Sequence, residues 1–213
     1  MKKTALCLVL LVMLGGSSGA LAESKERVAR LEERVESYRI DPAYRDDPYG
    51  LIVVRHALKA LKEGSGGIGA CLVNSTSGEV VQHGWNRQYT EYFRSDLHAE
   101  MDLLNRYENR VKKTIEGGGK PRSCENLVLV TSVEPCPMCL TRIINAGIKT
   151  MLYVVKDEQG GMVARMDSLP PFWRKFATDR EFRRADCSPE LRSVARDLFL
   201  YSDRSFAGNT DEQ

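Results

Sequence analysis

The stretch NLVLVTSVEPCPMCLTRIINAG, residues 126–147, decides the fold class. Its first part, residues 126–132, is an almost wholly apolar run, which predicts a strand buried on both faces of a sheet. Residues 135–146 follow directly and predict a helix, which Gly147 ends. A buried strand that leads straight into a helix is typical of α/β proteins, in which helices cover both faces of a sheet.

The segments on either side of this stretch alternate in the same way. Periodicity and turn residues predict further helices at 51–62, 98–113 and 189–201, and further strands at 68–74, 79–85 and 149–155. The long segment 158–187 is predicted to be irregular, with short helical pieces. The order of hairpin, helix, strand, helix and strand predicts a mixed sheet with helices on both sides, an α/β fold.

The first 22 residues have the order of a secretory signal peptide. Lys2 and Lys3 precede the apolar run Ala5–Leu14, and the segment ends in Ala20-Leu21-Ala22. The apolar run is too short to span a bilayer comfortably. We therefore expect cleavage after residue 22, an exported chain that is periplasmic or secreted, and no stable membrane anchor afterwards.

Length and composition predict one globular domain with appendages. After the signal peptide, residues 23–49 are predicted to form an N-terminal helix and connector, residues 50–205 the globular domain, and residues 206–213 a flexible tail. Loss of two lysines from the 31 basic residues leaves 29, equal to the 29 acidic residues. A neutral chain lacks the clustered positive charge of proteins that bind long phosphate backbones, so no nucleic-acid partner is expected.

Five cysteines remain in the mature chain. An odd number cannot all pair in an oxidising compartment, so some are expected to serve chemistry or a metal. Whether Cys124 and Cys187 form a disulfide stays open, because a sequence does not show how close two backbones come.

The chemistry is concentrated at the starts of two predicted helices, in His98-Ala99-Glu100 and in Pro135-Cys136-Pro137-Met138-Cys139. Cys136 and Cys139 are three residues apart, so their side chains share one helix face and can hold one ion, with His98 as a nitrogen ligand. Three protein ligands leave the fourth position of a tetrahedral zinc ion to water, as in catalytic sites.

Glu100 is predicted to act beside the metal. It is two residues from His98 and points about 200° around a helix from it, which disfavours joint ligation. The hypothesis is that Glu100 takes a proton from water and delivers protons to a ring nitrogen and to the departing amine.

These motifs, with Gly69-Ala70, Gly84-Trp85-Asn86-Arg87 and Ala146-Gly147-Ile148, resemble the cytidine deaminase-like superfamily. Within it they are similar to the branch that contains tRNA adenosine, guanine and cytosine deaminases. The resemblance, from about Leu51 to Val155, implies a three-layer α/β/α fold around a five-stranded mixed sheet, assembled as a dimer or higher oligomer. It also implies roles for six residues: zinc ligands at His98, Cys136 and Cys139, the proton carrier at Glu100, a base-contacting amide at Asn86, and a pocket wall at Ala70.

The resemblance implies zinc-dependent hydrolytic deamination of a free nucleobase or nucleoside of guanine, cytosine or adenosine type. Export and neutral charge argue against transfer RNA as the substrate. Whether the ring is a purine or a pyrimidine, and whether the substrate is a free base or a nucleoside, stays open. Three alternatives also stay open. They are a deaminase that acts on nucleic acid, an exported thiol–disulfide protein that uses Cys136 and Cys139, and a structural zinc site with Cys124 or His83 as fourth ligand.

Overall fold

A computed structural model describes residues 23–117, 124 and 126–207 of the chain. The predicted signal peptide and the last six residues of the predicted tail lie outside this range. The helices are α1 (residues 23–37), α2 (Asp47–Lys62), α3 (Ala99–Glu116), α4 (Pro137–Asn145), α5 (Pro171–Phe176) and α6 (Pro189–Ala207). The strands are β1 (Gly69–Asn74), β2 (Val80–Trp85), β3 (Leu127–Val133), β4 (Thr150–Val155) and β5 (Glu181–Arg184), and a 3-10 helix covers Val163–Ser168.

The strands form one mixed sheet in the order β2-β1-β3-β4-β5. Strand β1 runs antiparallel to both β2 and β3, whereas β3, β4 and β5 run parallel to one another. The predicted hairpin, the buried strand β3 and the five-stranded mixed sheet are thereby confirmed. Because β3 lies at the centre of the sheet and α4 starts just beyond its carboxyl end, the Cys136 motif stands at the edge where α/β proteins place their sites.

Each face of the sheet carries its own apolar core. One core joins α1, α2 and α6 to the sheet, and includes Val35, Val54, Val130, Leu191 and Leu198. The other joins α3 and α4 to the opposite face, and includes Leu103, Leu104, Leu129, Ile143 and Ile144. Burial of each such side chain contributes about 1.5–3 kcal/mol as an upper estimate. The predicted three layers are therefore present.

The N-terminal helix α1 belongs to the first core. Leu31, Val35 and Tyr38 are buried there. The Tyr38 hydroxyl donates to an Asp47 carboxylate oxygen at 2.5 Å and lies 2.6 Å from the Ser188 hydroxyl. One buried hydrogen-bond cluster thus connects the end of α1, the start of α2 and the start of α6, which fixes α1 on the domain.

The segment after β4 differs from the sequence prediction. Residues 181–184 form strand β5, although the whole stretch 158–187 was expected to be irregular. β5 has only four residues, three of them charged, and it lies at the edge of the sheet. Strand β5 is held by backbone hydrogen bonds to β4. Backbone pairing does not require alternating apolar side chains, so the sequence of β5 lacks the pattern by which a strand is predicted.

Cys124 and Cys187 are both free thiols and do not form a disulfide. Cys187 is part of the core on the α2 and α6 face, whereas Cys124 packs against the core on the other face of the sheet. The sheet therefore separates them. Among the described helices, none is long and apolar enough to cross a lipid bilayer.

Candidate metal centre

Two helix starts hold the candidate ligands. His98 is the residue before the first turn of α3, with extended backbone angles of φ −62° and ψ 162°. Cys136 has the same position before α4, with φ −68° and ψ 170°. Pro137 fixes the first turn of α4, because its φ suits a helix start and its missing N–H is not needed there. Cys139 then falls one turn along, on the same side as Cys136.

The three predicted ligands meet at one point. The Nδ1 atom of His98 lies 3.6 Å from the Sγ atoms of both Cys136 and Cys139. All three ligand atoms are within 4.8 Å of one another. A tetrahedral zinc ion with normal Zn–N and Zn–S bonds separates its nitrogen and sulfur ligands by about 3.6 Å. The donor set and its spacing therefore fit zinc.

The group has three members among the described residues, and neither Cys124 nor His83 belongs to it. The His83 Nδ1 atom is instead 2.9 Å from Nε2 of His56, between α2 and β2. The alternative of a structural zinc site with Cys124 or His83 as fourth ligand is therefore not supported by this geometry. Cys139 is buried, whereas His98 and Cys136 are partly exposed, so the group opens on one side.

The two cysteines differ in acidity. The hydrogen bond from the Cys139 thiol, supported by His98, lowers the pKa of Cys136 to about 4. Donation to Cys136, together with burial, raises the pKa of Cys139 well above its ordinary value. The pair therefore carries a thiolate at Cys136 near neutral pH, which is the form that binds metals.

Glu100 lies next to the group without belonging to it. Its side chain is almost fully buried, at 3% exposure. Burial raises the pKa of the Glu100 carboxyl, and the negative charge of Cys136 adds to this effect. The hydroxyl of Thr131, on β3, donates to Glu100 Oε1 at 3.1 Å. A buried carboxyl with a raised pKa holds a proton more readily than an exposed one, which suits a proton carrier.

Ala70 and Asn86, the two predicted substrate contacts, lie at the same edge of the sheet. Ala70 is buried on β1 and is the cross-strand partner of Thr131. Asn86 follows β2, and its backbone N–H donates to the carbonyl of Ile68, just before β1. The Asn86 side chain bonds both the N–H and the side chain of Gln88. Contact of either residue with a substrate stays a prediction.

Glu134 has a structural role that the sequence analysis did not assign. Its buried carboxylate accepts the backbone N–H of Ala164 at 2.8 Å and that of Asp157 at 3.3 Å. The Met162 N–H donates to the carbonyl of the next residue, Pro135. The loop after β4 is thereby fastened to the Cys136 motif. The sequence feature that could have indicated this role is the position of Glu134, directly between a strand predicted to be buried and the Cys136 motif.

The loop 87–97 precedes His98 and carries exposed aromatic side chains. Tyr92 and Phe93 are about two-thirds exposed, at 63% and 60%. The arginines of this loop are paired with acids: Arg94 binds both oxygens of Asp96, and Arg87 contacts Asp102 on α3. The edge of the site beside His98 therefore combines exposed rings with neutralised positive charge.

Comparison with known proteins finds similarity in the part of the chain that contains the candidate metal centre. The family described as the cytidine and deoxycytidylate deaminase zinc-binding region matches residues 45–155. A tRNA-specific adenosine deaminase of Bacillus subtilis (strain 168) is 30% identical over 116 residues, 54% of this chain. The match spans 65% of that relative's own length.

Two solved structures share the fold. A guanine deaminase of Nitrosomonas europaea has a TM-score of 0.54 at 19% identity, covering 81% of this chain and 92% of its own. The protein NE0047 in complex with 2,6-diaminopurine has a TM-score of 0.52 at 20% identity, covering 72% of this chain and 79% of its own. At these identities the likeness concerns the fold.

Proposed function

The chain belongs to the cytidine and deoxycytidylate deaminase family, and from this premise we propose that it hydrolytically deaminates a free nucleobase or nucleoside. The ring is of guanine, cytosine or adenosine type. The observation that carries the proposal is a buried Glu100 carboxyl beside a His-Cys-Cys group that is open on one side. A metal ligand set that leaves room for water, next to a proton carrier, is what hydrolysis of a ring amine requires.

The reaction exchanges one bond for another. Water adds its oxygen to the ring carbon that bears the amino group, the C–N bond breaks, and ammonia leaves with one proton of the water while the ring keeps the other. His98, Cys136 and Cys139 would hold zinc. The ion, when bound, supplies a Lewis acid that makes water ionise near neutral pH. Glu100 accepts the proton of the attacking water and passes protons to the ring nitrogen and then to the leaving amine.

The remaining site residues orient the ring. In this proposal Asn86 supplies an amide contact to the base and Ala70 forms part of the pocket wall. The burial of Glu100 keeps its proton away from bulk water between the two transfers.

A small substrate is supported by the charge around the site. Arg87 and Arg94, in the loop before His98, are paired with carboxylates, which leaves little free positive charge there for a phosphate backbone. Export, proposed from residues 1–22, adds a compartment in which transfer RNA is not expected. Fractionation of cells that express the full chain tests this, with the mature chain expected outside the cytoplasm.

Deamination of a nucleic acid is the second candidate. It is supported by the 30% identical relative, which is a tRNA-specific adenosine deaminase, and by the exposed rings of Tyr92 and Phe93, on which bases could stack. Activity on a nucleic acid would fall steeply with salt, because phosphate contacts release counterions. Activity on free bases that is unchanged in high salt would count against this candidate.

The experiment is an ammonia-release assay of the zinc-loaded full chain against guanine, cytosine, adenine and their nucleosides. We expect release from at least one of them, and release from none would contradict the proposal. Metal analysis and a thiol–disulfide exchange assay of the same sample distinguish a deaminase from the exported thiol–disulfide protein. One tightly held zinc per chain without thiol–disulfide cycling is expected for the deaminase. Sedimentation of the same sample tests whether the chain forms the dimer or higher oligomer that the resemblance implies.

A further inference from the structure

Thr131 lies at the buried centre of the sheet. It lies on β3, the central strand, where its cross-strand partners are Ala70 on β1 and Tyr153 on β4. The residue is fully buried, and its branched side chain has little rotational freedom at χ1. A group attached here has a fixed direction.

The Thr131 hydroxyl has a choice between two acceptors. It lies 3.1 Å from Glu100 Oε1 and 3.5 Å from the carbonyl oxygen of Gly69. A hydroxyl donates one proton, and the shorter distance together with the acidic acceptor favours Glu100. The apolar strand that leads into the Cys136 motif thus carries, in its second half, a hydroxyl that contacts the proposed proton carrier.

We propose that Thr131 is a positioning residue for the reaction, which holds the Glu100 carboxyl in the orientation that proton transfer needs. The inference rests on the proposed function, because it gives Thr131 a role only through Glu100. A glutamate side chain has several rotatable bonds, and proton transfer requires a heavy-atom distance within hydrogen-bond reach of the reacting group. By fixing Oε1, Thr131 determines where the second oxygen of the carboxyl stands.

The test compares three variants of the zinc-loaded full chain. Thr131→Val keeps the shape of the side chain and removes the hydroxyl, whereas Thr131→Ser keeps the hydroxyl. Ser132→Ala is the matched control, because the Ser132 hydroxyl is equally buried but accepts the Gly69 N–H at 3.0 Å. As the next residue of the strand, Ser132 also points to the opposite face of the sheet from Thr131. Thr131→Ala replaces the valine variant if the valine variant does not fold.

For Thr131→Val we expect kcat to fall about tenfold on the best substrate of the panel, with KM within about twofold of wild type, as for loss of one hydrogen bond to an ionisable group. Zinc stays at one per chain. Thr131→Ser restores kcat to within about threefold of wild type, and Ser132→Ala leaves kcat within about twofold. If Thr131 had only a structural role, Thr131→Val would lower the stability of the protein without a selective loss of kcat, and Thr131→Ser would not restore kcat.

A second measurement does not depend on activity. Crystal structures of wild type and Thr131→Ser are expected to show Glu100 in a single orientation with Oε1 at the hydroxyl, and Thr131→Val to show the carboxyl turned away or in several orientations. An unchanged single orientation in Thr131→Val would overturn the inference, and so would wild-type kcat in that variant. If the wild-type chain releases no ammonia from any compound, the proposed function fails, and the crystal structures alone decide whether Thr131 positions Glu100.

Discussion

Replacement of Gly161 by alanine is expected to destabilise the protein by about 3 kcal/mol, because the loop after β4 is closed around the Glu134 carboxylate. A Cβ atom at position 161 would lie 2.5 Å from Glu134 Cδ and 2.6 Å from the Asp157 carbonyl oxygen. Either the carboxylate moves and loses the N–H groups of Asp157 and Ala164, or the backbone of the loop shifts. Overpacking of this kind costs about 1–3 kcal/mol, and hydrogen bonds to a charged group add about 1.5–3 kcal/mol when lost.

Calorimetric unfolding of the zinc-loaded chain measures this effect. For a chain of this size, about 3 kcal/mol corresponds to a fall in Tm of about 9 °C. Gly117→Ala is the control, because Gly117 has a φ of −79° and a Cβ there would meet carbonyl oxygens at an ordinary 3.5 Å. We expect the control to melt at the wild-type temperature or up to about 4 °C above it, because alanine at a compatible backbone position lowers the entropy of the unfolded chain. If Gly161→Ala melts as the control does, the loop is not organised around Glu134 and the reasoning is refuted.

Three further predictions concern pH, a buried cluster and the metal. Burial, with a smaller effect of the adjacent His83, lowers the pKa of His56 to about 4, so folded protein keeps this ring neutral while the unfolded chain protonates it below about 6.5. The stability that depends on a neutral His56 is therefore present above a pH of about 6.5 and is lost as the pH falls towards about 4. After allowance for solvent screening of this partly exposed ring, His56→Gln should lose about 1 kcal/mol less than wild type between a pH of about 7 and a pH of about 5 in urea titrations. Equal losses in the two proteins would contradict this. Tyr38→Phe removes the hydroxyl that donates to Asp47 and should lower the free energy of unfolding by about 1.5 kcal/mol, measured at the urea midpoint, and an unchanged midpoint would show that the buried cluster does not hold α1. Removal of zinc by a chelator should lower Tm by about 10 °C, reversed by added zinc, because a ligand that binds only the folded state stabilises it, and an unaffected Tm would argue against a bound metal.

Most of the fold could be predicted because its elements have strong local patterns. The apolar run of β3 and the proline and glycine around α4 fixed both elements to within two residues. The same reasoning failed for β5, whose sequence Glu-Phe-Arg-Arg has no apolar alternation and whose position depends on β4. Elements that are formed by tertiary pairing leave the weakest trace in a sequence.

The candidate site divides in the same way. His98, Cys136 and Cys139 were predicted as one group from residue types and spacing, and the fold brings them together across 38 positions of sequence. Thr131 was missed, because its contact with Glu100 depends on how α3 packs over the centre of the sheet. A hydroxyl within an apolar strand is compatible with many environments, and only the packed structure selects one.

In the proposed reaction, Glu100 carries protons for a hydrolysis supported by zinc at His98, Cys136 and Cys139. The most direct measurement is deamination in water labelled with heavy oxygen, by wild type and by Glu100→Gln, with zinc content determined for both. We expect the wild-type product to take up labelled oxygen as ammonia is released, and Glu100→Gln to keep its zinc but to lose at least about a thousandfold in rate. Unlabelled product, or full activity of Glu100→Gln with zinc bound, would contradict it.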